Sequence, residues 1–219
     1  MTIATRPSRL LMLPRSDYVP ADEHDPIRFY HLPLIGALYR RRVELCLGEC
    51  TGGQRVLEVG FGSGVTFLNL AAMYEEIYGL DLTAPVDRVT AAFAARGLTT
   101  HLCNGSVLDM PYPDNHFDTV LLISILEHLR PHHQAAAFRE IARVLRPEGQ
   151  VVYGVPVERP LMVWLFRLLG CNIREHHFST QDDVSTAARQ VFGHGRITPM
   201  CSIPPFRGSV YEVGHFVKN

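Results

Sequence analysis

No apolar stretch in this chain has the length needed to cross a bilayer as a helix, which takes about 20 residues. The stretch 161–169 is short and carries Arg167, and Leu10-Leu11-Met12-Leu13 stops at Pro14, too soon for a secretory apolar core. Paired cysteines are missing as well. Cys46, Cys50, Cys103, Cys171 and Cys201 are scattered, odd in number and free of any C-x-x-C spacing, which excludes a disulfide framework or a zinc ribbon. Reduced, mostly buried thiols are expected instead. Charge of one sign is lacking too: 21 Lys and Arg against 22 Asp and Glu give a net charge of -1. That balance gives no general pull toward nucleic acid or acidic lipid. Nor is there an internal repeat or a low-complexity run. The 11 histidines raise the question of a metal, but His132-His133 and His176-His177 are adjacent pairs, which do not converge on one ion from a helix, and no metal site is expected. A chain of 219 residues, 47% of them hydrophobic, suits one domain with a substantial core. The expectation is a single soluble, cytoplasmic domain over 1–219.

What is present is an alternation. An arm rich in Pro and charge, 1–25, precedes a helix over 29–47, with Pro33 near its start and Gly48 at its end. Strands are then expected at 55–60, 76–81, 99–103, 117–123 and 150–155, and helices at 64–73, 84–96 and 131–145. Alternation of this kind predicts an α/β fold with a parallel sheet covered on both faces. After a helix near 180–192, strands over 196–203 and 210–217 flank Pro204-Pro205-Phe206-Arg207-Gly208. So short a connection implies an antiparallel hairpin.

The densest signal is Arg55 to Leu70, RVLEVGFGSGVTFLNL: a buried strand, an acidic residue, three glycines and a helix. Glycines at a strand-to-helix turn let backbone approach a ligand, and the free N–H groups of the helix start hold polar or anionic groups. An ordinary tight turn is the competing reading. Dinucleotide sites use G-x-G-x-x-G. Here Val65 stands where that third glycine would fall, and Glu58, two residues before Gly60, suits a cationic ligand group better than a pyrophosphate. Asp81 ends the next strand, about 20 positions beyond the turn, where an acid accepts from ribose hydroxyls. It can equally cap the helix that follows, a job Thr83 could also do.

Glu58-Val59-Gly60-Phe61-Gly62-Ser63-Gly64 resembles the E/D-x-G-x-G-x-G motif of class I S-adenosylmethionine-dependent methyltransferases. Three further pieces resemble the small-molecule and quinone-type (type 11) subgroup of that family. They are Met110-Pro111-Tyr112-Pro113-Asp114-Asn115-His116-Phe117-Asp118, then Leu126-Glu127-His128, then Leu145-Arg146-Pro147-Glu148-Gly149, the last with Glu148 in place of a glycine. The likeness covers roughly 54–155. It implies a Rossmann-like sheet of seven strands, mostly parallel, with an antiparallel last strand and helices on both faces.

By the resemblance, S-adenosylmethionine is the cofactor. Glu58, Gly60, Phe61, Gly62, Gly64, Asp81, Leu82, Ser106, Val107, Ile123 and Tyr30 would hold it. Ser106 stands where the family usually has an Asp toward the adenine amino group, a weaker contact without charge. Asp109 is a substitute, or a turn former before Pro111. Tyr30 reaches the cofactor's carboxylate end, or else staples the N-terminal helix to the domain.

The implied reaction is in-line methyl transfer to a small, hydrophobic acceptor, with O-methylation slightly favoured and a His base among His128, His176 and His177. His128 can instead be a turn residue bonded to backbone. Glu127 either orients His128 or caps a helix. Residues 156–178, with the helix 161–169 and Trp164, form a substrate-side lid, a peripheral membrane contact, or a piece of core or a homodimer face. A non-catalytic binding subunit and a nicotinamide-dependent oxidoreductase stand as alternatives. Nucleic-acid methylation is disfavoured by charge and by Ile123-Ser124-Ile125-Leu126, which lacks the Asn/Asp-Pro-Pro-Tyr/Phe of amino-directed base methylation.

Overall fold

A computed structural model describes residues 9–21, 25–157, 178–201 and 208–219. The expected lid helix over 161–169 with Trp164, the histidines His176 and His177, and the Pro204–Arg207 loop lie outside the described residues. The elements are α1 (Ile27–Tyr30), α2 (Pro33–Glu49), β1 (Gly53–Val59), α3 (Phe67–Ala71), β2 (Tyr74–Asp81), α4 (Val86–Ala94) and β3 (His101–Asn104). They continue with β4 (Phe117–Ile123), a 3-10 turn (Leu126–His128), α5 (Pro131–Val144), β5 (Leu145–Pro156), α6 (Gln181–Phe192), β6 (Gly195–Cys201) and β7 (Ser209–Val217).

The strands form one sheet in the order β3-β2-β1-β4-β5-β7-β6. β1 to β5 pair in parallel, and β7 runs antiparallel to both β5 and β6. This is the seven-stranded sheet with a reversed last strand that the sequence implied. Phe117 to Leu122 of β4 are all buried, as a strand covered on both faces must be. Alternate strand residues divide between two cores. Val56, Leu121 and Val152 pack with α2, α3 and α4; Leu57, Val120, Leu122, Val151 and Tyr153 pack with α5 and α6. The α5 stripe Gln134, Ala137, Phe138, Ile141 and Val144 recurs at helical spacing.

Motif residues Asp114, Asp118 and Arg146 are tied into the scaffold. Asp118 is buried at the start of β4, accepts from the Gln54 and Arg55 N–H groups at 2.9 and 2.5 Å, and pairs with Arg146 at 2.5 Å. Arg143 of α5 donates to the Met110 and Tyr112 carbonyls and pairs with Asp114 and Glu140, pinning the 110–118 turn.

Three expectations need correction. The helix expected over 64–73 is shorter, because Gly60, Gly62 and Gly64 all take positive φ (73°, 53° and 74°), which a right-handed helix cannot use. The helix expected over 29–47 is two: Leu32, ahead of Pro33, is extended (ψ 148°), as a residue before proline tends to be, and α2 starts at that proline. β5 begins at Leu145 rather than at 150, with a register shift against β4.

The described part of the arm, 9–21, is irregular apart from a 3-10 turn over Arg15–Asp17 and is packed down. Leu10, Leu13 and Tyr18 are buried in the first core. Asn69 of α3 clamps it, accepting from the Leu11 N–H (2.9 Å) and donating to the Arg9 carbonyl (3.1 Å).

Candidate active site

The strand order reverses beside β1, so the crevice at the C-terminal ends of β1 and β4 is where an open α/β sheet takes a ligand. On the β1–β3 side of it lies the glycine loop. The Gly60 N–H bonds the Leu80 carbonyl (2.7 Å) and the Gly64 N–H the Phe61 carbonyl (2.8 Å), so the loop is folded against the end of β2. A Cβ on Gly60 would fall 2.0 Å from Ile125, and one on Gly64 would fall 2.6 Å from Phe67 and 2.8 Å from Phe93. Both glycines thus answer to packing as well as to φ.

Asp81 is held by three backbone donors: Gly62 at 3.0 Å on one oxygen, and Thr83 and Ala84 at 2.9 and 3.0 Å on the other. Both sequence readings are therefore compatible. Asp81 caps the approach to α4, and each oxygen keeps acceptor capacity for a ribose hydroxyl. Next to it Leu82 is 73% exposed, an apolar side chain standing open at the edge of the crevice.

Glu58 is buried and takes a hydrogen bond from the buried Thr66 hydroxyl. Burial pushes its carboxyl up to about 8; the Thr66 bond pulls the other way and Asp81 adds to the rise. A cation arriving nearby would favour the ionised form.

Not every implied contact is made by a side chain. The Phe61 ring is buried, 5.8 Å from Phe67, and leaves only its backbone to the loop. The Ser106 hydroxyl accepts from the Leu108 N–H at 3.1 Å in a local turn, and Asp109 is exposed on the same turn. Val107 is buried in the second core.

The β4–β5–β7 side is built differently. Ile123 is half-buried at the end of β4, followed by Ser124, which takes φ 58° although it is not a glycine. Its N–H bonds the Gly154 carbonyl (2.8 Å) and its hydroxyl lies 3.0 Å from the Tyr211 hydroxyl. In the following 3-10 turn Glu127 is buried and His128 is exposed. Gln134 donates to the Leu126 carbonyl (2.6 Å), and Phe178 and Ser179 donate to the Glu127 carbonyl, which fixes this turn.

Tyr30, at the end of α1, is buried, and burial raises its phenol. Arg42 of α2 lies over the rings of Tyr39 (3.9 Å), Tyr211 (5.9 Å) and Tyr30 (6.0 Å).

Sequence reasoning missed Asp25, Arg42 and Tyr211. Asp25 accepts from Ala21 and Ile27 and from the Ser63 hydroxyl (3.5 Å), tying the arm to the glycine loop. None of the three sits in a motif, and their neighbours are distant in sequence. Among the described residues no group of three or more His, Cys, Asp or Glu side chains could hold a metal, and no helix is long and apolar enough to cross a membrane.

Residues 57–153 match the family model described as a methyltransferase domain. The chain is 32% identical over 104 residues to the uncharacterized methyltransferase YcgJ of Bacillus subtilis, covering 47% of this chain and 40% of that one. It is 30% identical over 118 residues to a demethylmenaquinone methyltransferase of Tropheryma whipplei, covering 53% of this chain and 47% of that one. The chain thus spans half or less of the length of these relatives. Among solved structures, the N-methyltransferase NodS of Bradyrhizobium japonicum, in complex with S-adenosylhomocysteine, shares the fold with a TM-score of 0.66 at 16% identity, covering 91% of this chain and 94% of that one. Fold, motif order and family match agree: this chain carries a class I S-adenosylmethionine-dependent methyltransferase domain. The domain match is to the type 11 model, the subgroup whose motifs the sequence resembles.

Proposed function

We propose that this chain transfers the methyl group of S-adenosylmethionine to a small, hydrophobic acceptor, with oxygen the favoured atom. The observation that carries the reading is the constellation after β1 and β2: Glu58 buried and raised to about 8, Gly60, Gly62 and Gly64 at positive φ, Asp81 fixed by three N–H groups, and Leu82 exposed beside it. These residues fit the cofactor part by part. Asp81 would take the ribose hydroxyls, Leu82 the adenine face, and Glu58 the neighbourhood of the cationic end. The cofactor, when bound, supplies a methyl on a cationic sulfur that leaves as a neutral thioether carrying the C–S electron pair.

The protein's own work is then alignment, where orientation contributes roughly 7–11 kcal/mol. For a hydroxyl acceptor a base also takes up the proton as the new O–C bond forms, worth roughly 10²–10⁴-fold. We assign that role to His128, which is exposed on the turn after β4.

Calorimetric titration with S-adenosylhomocysteine, beside Asp81→Ala and with NAD as a control, tests the cofactor. Tight binding that the variant loses is expected; no binding by the intact protein, or equal binding of NAD, overturns the reading. A methyl-transfer screen starting from hydrophobic phenols and acids then tests the acceptor. His128→Gln should lower turnover of hydroxyl acceptors by roughly 10²-fold or more if that histidine is the base.

A further inference from the structure

Arg42 is a guanidinium set among tyrosine rings. Among the described residues no carboxylate forms an ion pair with it, and its Nε is sealed from solvent with no acceptor. The residue as a whole is only half-buried, so it can still be reached from outside. Its surroundings are the rings of Tyr30, Tyr39 and Tyr211. Aromatic faces offset part of the cost of desolvating a guanidinium. The Tyr30 hydroxyl accepts one bond from it, which leaves the other in-plane N–H donors of the fork calling for oxygen acceptors. The sealed Nε is a cost carried inside the fold, and the half-buried remainder of the fork is the part that a ligand's oxygen atoms can reach.

Position indicates which ligand. Tyr211 stands opposite Pro156 at the C-terminal end of β5 and touches Ser124 just after β4. Arg42 therefore lies beside the C-terminal ends of β4 and β5, with its neighbour Tyr30 also within reach of the Glu58 charge. We propose that Arg42, with the Tyr30 and Tyr211 hydroxyls beside it, is an anion subsite that holds a carboxylate of the methyl acceptor. The acceptor class is then a small apolar acid. This rests on the methyltransferase reading above, since it deepens the same site.

The test is calorimetric titration of the S-adenosylhomocysteine-loaded protein with benzoate and with benzamide at constant ionic strength, on the intact chain, Arg42→Lys and Arg42→Met. Benzoate should bind the intact chain and benzamide should not. Arg42→Met should weaken benzoate by about ten- to a hundredfold, the loss of a hydrogen bond to a charged group. Arg42→Lys keeps charge without the fork and should fall between. Absence of benzoate binding, or equal binding by intact chain and Arg42→Met, overturns the subsite. Titration with S-adenosylhomocysteine and with 5′-methylthioadenosine, which lacks the amino-acid tail, separates the other source of a carboxylate. If Arg42→Met weakens the first ligand and spares the second, Arg42 holds the cofactor's own carboxylate and the acceptor assignment fails. If the intact chain binds neither adenosine ligand, the methyltransferase reading fails; benzoate binding that still depends on Arg42 would uphold the anion subsite.

Discussion

The two sides of the crevice are made in opposite ways. On the β1–β3 side the ligand-facing groups come from Glu58 to Ala84 and are held largely by backbone: Asp81 on three N–H groups, Gly60 on Leu80, Gly64 on Phe61. On the β4–β7 side the proposed groups are Tyr30, Arg42, Ser124 and Tyr211, joined by side-chain contacts between elements far apart in sequence. The first side is a local chain conformation and accepts few substitutions. The second is a meeting of separate elements, where one residue can change the ligand without undoing the fold.

The sharpest way to break the first side is Gly64→Ala. It forces a side chain into left-handed φ and a Cβ to 2.6 Å from Phe67. Strain and overpacking together should destabilise the domain by about 2–5 kcal/mol in urea unfolding. A loss under about 1 kcal/mol would mean that the loop rearranges freely. Asp81→Ala comes next, since it removes the acceptor of three backbone N–H groups as well as the ribose contact. S-adenosylhomocysteine affinity should fall by about a hundredfold, whereas Arg42→Met should leave it within about threefold.

The arm joins the two sides. Asn69→Ala unties both of its clamping bonds and should cost about 1–3 kcal/mol, with faster proteolysis ahead of Ser16.

Glu58 gives a pH signature. Its folded carboxyl, at about 8, lies above the ordinary carboxylate range. The folded state then holds a proton that the unfolded state has released, so stability should decline as pH rises from about 5 to 8. The slope from this group is at most about 1.4 kcal/mol per pH unit. Glu58→Gln should flatten it in denaturation curves at several pH values. S-adenosylhomocysteine affinity should move the other way, tightening toward pH 8 with proton uptake by the buffer; an unchanged affinity in that range would remove Glu58 from the ligand's surroundings.

The smallest effect expected is at Glu148, exposed at φ 62° where relatives are expected to carry glycine. Glu148→Gly should stabilise by about 0.5–1 kcal/mol.

The same contrast explains what could be read in the sequence. Strand order, the reversed β7 and the glycine loop follow from periodicity and from motifs within one stretch of chain. The roles of residues inside the motifs do not: that Asp118 is a structural acceptor is seen only from its bonds to Gln54 and Arg55 and its pairing with Arg146. Ser124 at positive φ and the approach of Arg42 to Tyr211 have no local sequence signal, because each is imposed by a neighbour many positions away. The break before α2 was legible in Pro33, whose effect on Leu32 is local.

The placement of β7 between β5 and β6 has a consequence for the order in which the molecule is made. A chain leaving the ribosome can pair β1 to β5 while β7 is still unsynthesised, so the glycine loop and Asp81 can form early. The open edge of β5 then waits for its partner, exposed to any other strand that reaches it first. Tyr211 arrives with β7, so the proposed acceptor wall is finished only when that edge is closed.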